Sequence, residues 1–258
     1  MGGRLVGRVV AVVNQKGGVG KTTTAVNLAA GLAVADRPTL LVDLDPQGNA
    51  STGLGLSKEE LYPTIYHVLL GGEPLEKAIR ETAIPNLLLV PADIDLVGAE
   101  VELVGLPGRE SKLKDALEPM RSKFDYVLLD CPPSLGLLTI NALTAADSAL
   151  VPLQCEFYAL EGLAQLLKTV RLVRDRLNPR LEVGGIVLTM FDGRTSLAGQ
   201  VKAEVHRYFS GQIFQTVIPR NVRLSEAPSH GKPILLYDLR SSGALAYLEL
   251  TKEVLAHD

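Results

Sequence analysis

The chain has 258 residues, is 47% hydrophobic and carries a net charge of −3. That length can bury a sizeable core. The absence of any bilayer-length apolar run excludes a helical membrane protein, and so small a net charge excludes binding to polyanions through bulk charge alone. Two cysteines, Cys131 and Cys155, lack metal-type spacing; they exclude a disulfide framework and fit a reducing cytoplasm.

The opening MGGRLVGRVV carries two arginines and runs straight into a strand, without the apolar segment and cleavage site of a secretory leader. Beyond it, short apolar runs alternate with longer amphipathic stretches. Runs 8–13, 39–43, 87–90, 126–130, 148–153, 183–189 and 213–218 predict strands. Most are apolar on both faces, as strands of a helix-covered parallel sheet are. Stretches 21–35, 93–103, 111–123, 135–146, 160–177, 197–209 and 242–256 predict helices. The alternation predicts an α/β fold: a single, doubly wound, mostly parallel β-sheet flanked by helices, in one domain over 1–258.

Between the first strand and helix stands VVNQKGGVGKTTT. Gly17, Gly18 and Gly20 let backbone N–H groups turn around an anion, and the helix that follows adds its positive end. Lys21 reaches the β- and γ-phosphates of a nucleotide, and the Thr22 hydroxyl ligates Mg²⁺. The strict pattern G-x-x-x-x-G-K-[ST] fails, because Gln15 stands at its first glycine. A lysine, Lys16, instead precedes the glycines. A second ammonium beside Lys21 would be repelled within one subunit, whereas across a dimer it can offset charge on the partner's phosphoryl group.

TLLVDLDPQGN ends a strand with Asp43 and Asp45, two residues apart and hence on one side of an extended chain. Carboxylates there suit Mg²⁺ and its water shell. Asp45 can orient the attacking water, or it can simply serve the Asp-Pro-Gln-Gly turn. In YVLLDCPPS, Asp130 ends a second apolar strand in the same way. The four histidines are scattered and read as solvated or structural. From Arg194 to Arg240 seven Lys/Arg face three acidic residues, a local balance of +4 that leaves −7 for the remainder. Such a patch can bind a polyanion, doubly so in a dimer, or be an ordinary solvated surface.

The K-G-G-V-G-K-T loop resembles the deviant Walker A motif of the ParA/MinD ATPases. CEFYALEGL, LTMFDGRT and IPRNVRLSEAPSHGKPILLYD resemble the chromosomal ParA, or Soj, branch. The resemblance runs from Val9 to about Leu255. It implies catalysis by Lys16, Lys21 and Asp45, with ATP held by Lys16, Gly17, Gly18, Val19, Gly20, Lys21, Thr22 and Thr23. Thr22, Asp43 and Asp130 would hold Mg²⁺, with switch I at 43–49 and switch II at 130–134. Pro219 and Asn221 would close over adenine, although Asn221 can equally cap the helix-like VRLSEA. DNA contacts fall on Arg194 and Arg223, with Lys202, Lys232 and Arg240 added from charge.

The same resemblance implies a homodimer when ATP-bound, non-specific binding to double-stranded DNA, a ParB-type centromere-binding partner that stimulates hydrolysis, and a cytoplasmic, nucleoid-associated protein. With few residues ahead of the phosphate loop, the N-terminal helix-turn-helix extension of some plasmid relatives is not expected. Membrane attachment of the MinD kind is not expected, since ALAYLELTKEVLAHD holds only Lys252 against Glu249, Glu253 and Asp258. An iron–sulfur reductase needs two cysteines bracketing switch II, and Cys155 stands on a later strand. The alternative in a different class is a metabolic P-loop enzyme that phosphorylates a small molecule.

Overall fold

The computed structural model describes residues 7–257 apart from 58, 60 and 210. The opening six residues, which belong to the stretch read for a leader, and Asp258 lie outside the described residues. Among the described residues one sheet contains β1 (Arg8–Val12), β2 (Thr39–Asp43), β3 (Arg80–Glu81), β4 (Leu87–Val90), β5 (Tyr126–Asp130), β6 (Ser148–Gln154), β7 (Glu182–Phe191) and β8 (Ile213–Pro219). Their order is β3-β4-β2-β5-β1-β6-β7-β8. All pairings are parallel except β3 with β4.

The seven expected strands are present, and β3 is the addition. Two residues, Arg80 and Glu81, are too few to show an alternation. The expected helix 111–123 is broken into Lys112–Leu117 and a 3₁₀ turn at Arg121–Lys123. Pro119 accounts for the break, because it has no N–H to continue the helical ladder, although Glu118 before it keeps helical dihedrals. The expected helix 93–103 starts later, as Leu96–Glu102, and continues as a 3₁₀ turn through Gly105.

Strand pleating sends successive residues to opposite faces, and both faces are apolar. Val9, Ala11 and Val13 enter one layer with Leu40, Val42, Val127 and Leu129. Val10 and Val12 enter the other, with Leu41, Leu128 and, from the helix Lys21–Val34, Leu28 and Leu32. Each fully buried leucine contributes roughly 1.5–3 kcal/mol relative to exposure. The C-terminal helix Ser242–Ala256 packs into this second layer through Tyr247, Leu250 and Val254, as its composition implied. Its Glu253 carboxylate accepts from Gln215 N at 2.8 Å, Thr216 N at 2.7 Å and the Thr216 hydroxyl, all on the edge strand β8. Among the described residues no helix is long and apolar enough to cross a membrane.

The register decides where the motifs meet. Val12 pairs with Asp130, and Asp43 pairs with Asp130 from the other side. The glycine loop and both strand-end carboxylates therefore share the carboxyl edge of the sheet, where open α/β sheets bind ligands.

Candidate nucleotide site

Gly18 and Gly20 have φ of 73° and 88°, left-handed conformations that only glycine adopts without a Cβ penalty. The loop is pinned from three directions. Asn14 Nδ2 donates to Pro152 O at 2.8 Å, Lys16 N donates to Asn14 Oδ1 at 3.0 Å, and Thr189 Oγ1 donates to Val19 O at 2.8 Å. Gly20 directly precedes the helix, so the unpaired N–H groups of the first turn open onto the loop. Lys21 is buried and donates to Lys16 O at 3.1 Å. Burial lowers its pKa, while Asp130, Cys131 and Asp45 push it back up. Thr22 and Thr23 follow, half-buried. Neither Asn14 nor Thr189 was singled out in the sequence, because both support the loop from outside the motif.

The carboxylates differ in their partners. Asp43 is fully buried, and accepts from Ser51 N at 3.0 Å, Ser51 Oγ at 2.8 Å and Asp45 N at 3.1 Å. Burial nevertheless raises its pKa to about 6. Asp45 Oδ1 accepts from Gln47 N at 3.0 Å and its carbonyl from Gly48 N at 2.9 Å, so the turn role weighed from the sequence is real. Asp130 is fully buried, and neither of its oxygens meets a donor at bonding geometry. Burial and Asp43 push its pKa well up, with Asp45 adding; the Thr22 hydroxyl and Lys21 offset part of this.

An orphaned buried carboxylate beside a hydroxyl fits a cation. The donors are oxygen only, as Mg²⁺ requires. Among the described residues no group of three or more His, Cys, Asp or Glu is arranged to hold a metal. That suits an ion that takes most of its ligands from phosphate and water. Cys131 is buried with its pKa pushed well up by burial, and Cys155 is partly buried.

Lys16 also has a partner within its own chain, away from Lys21. Its ammonium pairs with Glu156, both side chains being 43% exposed. The sequence reading passed over Glu156 in CEFYALEGL because ion pairs 140 residues apart leave no local pattern. Lys16 thus stands at the rim, turned from the phosphate loop, while Lys21 stands inside.

A depression of about 330 Å³ adjoins the loop. Gly20, Thr23, Pro219 and Asn221 line it together, joined by Met190 and Tyr247. Asn221 also caps the helix Val222–Glu226: its Oδ1 accepts from Arg223 N at 2.8 Å and its Nδ2 donates to Ser242 Oγ at 2.8 Å. Met190 lines this pocket at a φ of 47°.

The basic residues follow the adjacent strands β7 and β8. Arg194 makes a two-pronged pair with Asp192, at 2.8 and 2.7 Å, which lowers the Asp192 pKa to about 2. Arg223 pairs with Glu226 at 2.9 Å and Asp238 at 3.5 Å. Lys202 lies over the Phe191 ring, 5.5 Å from its centroid. Lys232 and Arg240 are exposed. Arg220, also exposed, lies close enough to Asp192 to lower its pKa and donates from its backbone to Phe191 O at 3.3 Å, tying the two loops together. It stood in the charge count but was not assigned a contact.

The AAA domain family matches residues 7–183. The sporulation initiation inhibitor protein Soj of Bacillus subtilis is 57% identical over 252 residues, covering 98% of this chain and all of that one. The chain belongs to the ParA/Soj family of chromosome-partitioning ATPases. The chromosome partitioning protein ParA of Myxococcus xanthus is likewise 57% identical, over 98% of this chain and 89% of its own. A solved structure from Mycobacterium smegmatis, cobyrinic acid a,c-diamide synthase with bound ATP analog and magnesium, is 41% identical. It superposes with a TM-score of 0.86 over 98% of this chain and 96% of that one. For a ParA/Soj-family chain, the doubly wound sheet and the ATP and Mg²⁺ expected from the sequence are the family's own.

Proposed function

We propose that this partition ATPase is a switch in which ATP joins two copies face to face and the joined pair binds DNA without sequence preference. The observation that carries the reading is the unequal condition of two lysines on one loop. Lys21 is desolvated and inward, fit to hold the β- and γ-phosphates of its own nucleotide. Lys16 is solvated, at the rim and held by an exposed pair, which is cheap to exchange for a phosphate on a second subunit. Gly17, Gly18, Val19, Gly20, Thr22 and Thr23 complete the phosphate cradle, and Pro219 and Asn221 wall the adenine. Thr22 and Asp130 would hold Mg²⁺, with Asp43 behind them; the ion supplies charge neutralisation on the phosphate oxygens. Asp45 orients the attacking water, and slow hydrolysis awaits a ParB-type activator.

In this reading Arg194 and Arg223 exchange their carboxylate partners for DNA phosphates, with Lys202, Lys232 and Arg240 adding to the field, so the protein resides on the nucleoid. The whole chain acts as one domain. The test is binding to a random-sequence duplex with ATP, ADP or no nucleotide across a salt series. Binding with ATP alone, falling steeply with salt, is expected, and Arg223→Glu should lose it while keeping ATP-dependent dimerisation. Equal binding in all three nucleotide states would overturn the switch.

A second reading is a metabolic P-loop enzyme, favoured by the synthase that the M. smegmatis structure represents. It is distinguished by products: a phosphorylated or amidated small molecule rather than ADP and phosphate alone.

A further inference from the structure

The base pocket and the phosphate cradle are built on different elements, and one helix touches both. The helix Ser242–Ala256 stands against the phosphate-loop helix so closely that a Cβ on Gly31 would overlap the Thr251 hydroxyl. Its first turn meets the pocket wall. Ser242 Oγ accepts from Asn221 Nδ2 at 2.8 Å, and Gly243 leaves room for Leu224, whose Cγ would lie 2.7 Å from a Cβ there. Further along the helix, Tyr247 lines the same depression as Pro219, Asn221 and Leu224.

Tyr247 is 1% exposed, and its hydroxyl lies 3.1 Å from Thr24 Oγ1, which is buried as well. Among the described residues this hydroxyl has no other hydrogen-bond partner. Packing alone does not call for it, because a phenylalanine would fill the same space without a polar atom to bury. Thr24 stands in the first turn of the phosphate-loop helix, two residues after Thr22, and its N–H donates to Gly20 O at 2.9 Å. The hydroxyl pair therefore ties the turn that cradles phosphate to the helix that walls the base. Burial pushes the Tyr247 pKa up, so the hydroxyl keeps its proton and the link stays neutral.

We propose that Tyr247 is a positioning residue for ATP: through Thr24 it fixes the spacing between the base pocket and the phosphate cradle. A nucleotide anchored at both ends gains affinity only where the two anchors stand at the right separation, so that binding at one presents the other. A ligand made of phosphates alone gains nothing from that spacing. Ser242 plays the matching part at the opposite wall by holding the Asn221 amide. The inference rests on the proposed seat of adenine between Pro219 and Asn221.

The test compares MgATP with inorganic tripolyphosphate, which fills the cradle and leaves the base pocket empty. Where chemistry is slow relative to nucleotide release, KM reads binding. In Tyr247→Phe the KM for ATP should rise about fivefold, the worth of one neutral hydrogen bond, while kcat changes by less than about twofold. The inhibition constant of tripolyphosphate against ATP turnover should be the same in this variant and the wild type. Thr24→Val should raise the KM by a similar factor, and in the Tyr247→Phe background it should add nothing. Asn221→Ala tests the seat of adenine independently, and should raise the ATP KM while sparing tripolyphosphate. An unchanged KM in Tyr247→Phe beside a raised one in Asn221→Ala would overturn the positioning role and leave the adenine seat standing. Unchanged values in both would remove the seat, and the inference with it. Equal weakening of tripolyphosphate in Tyr247→Phe would mean damage to the cradle itself. A wild-type KM in Thr24→Val, with Tyr247→Phe raised, would mean that the Tyr247 hydroxyl meets the nucleotide directly. Either result overturns the inference, as would full additivity of the two substitutions.

Discussion

The carboxyl ends of β2 and β5 lie side by side and present the same residue in opposite conditions. Asp43 accepts three hydrogen bonds and anchors the turn that follows. Asp130 is as deeply buried and accepts none. Equivalent positions in sequence therefore do unequal work. Asp43 is already bound into the 45–51 turn, so its charge is used mainly to hold backbone in place. Asp130 is kept costly until a cation arrives, and it is the group whose state a bound ion changes most.

Asp130→Asn should break that asymmetry most strongly. The orphaned charge disappears, so the nucleotide-free protein should melt at a higher temperature than the wild type. Stabilisation by Mg²⁺ with an ATP analogue, about 2.7 kcal/mol at a hundredfold excess over Kd, should vanish. A variant that keeps the Mg²⁺-dependent shift in Tm would return the ion to Asp43.

The second prediction concerns pH. The folded pKa of Asp43 is raised to about 6 from 3.8, so the native state keeps a proton that the unfolded chain has released. The associated stability is present below pH 3.8 and is lost as pH rises through 6, up to about 3 kcal/mol for a shift of this size. Asp130 is shifted in the same direction. Nucleotide-free protein should gain stability from these groups between pH 7 and pH 5, seen as a smaller wild-type-minus-variant deficit against Asp130→Asn at the lower pH. A deficit that grows on acidification would contradict the Asp130 shift, since Asp43 is common to both proteins.

Ser51→Ala sharpens the comparison more gently. It removes a donor to Asp43 at 2.8 Å and an acceptor for Ala92 N at 3.1 Å. Denaturant titration should show a loss of about 1–3 kcal/mol, whereas an unchanged midpoint would mean that Asp43 is not held as described. The smallest expected effect is that of Glu156→Gln. It frees an exposed ammonium, so stability should move by less than about 1 kcal/mol, while light scattering with ATP should show dimerisation at lower protein concentration. Weaker dimerisation would mean that Glu156 presents Lys16 rather than restrains it.

The sheet was legible because its strands carry continuous apolar runs and its helices long periodic ones. The phosphate loop was legible because its glycines, lysine and threonine are adjacent in sequence. What escaped was short or distant. β3 has two residues, and the helix Asn49–Gly53 is little more than a turn, too brief for any period. Ser51, Glu156 and Thr189 act on motifs 8, 140 and 170 residues away, and only folding brings them there. The difference between Asp43 and Asp130 was invisible for the same reason: it lies in what surrounds each carboxylate.

The grip of Glu253 on β8 bears on assembly. A bare outermost strand is a template on which another strand can crystallise, copy after copy, without a natural end. Occupying the donors of Gln215 and Thr216 with a carboxylate leaves less to template and adds negative charge where a stranger would dock. For a protein proposed to meet its own copy in a closed pair, guarding this border separates a reversible handshake from an endless ribbon.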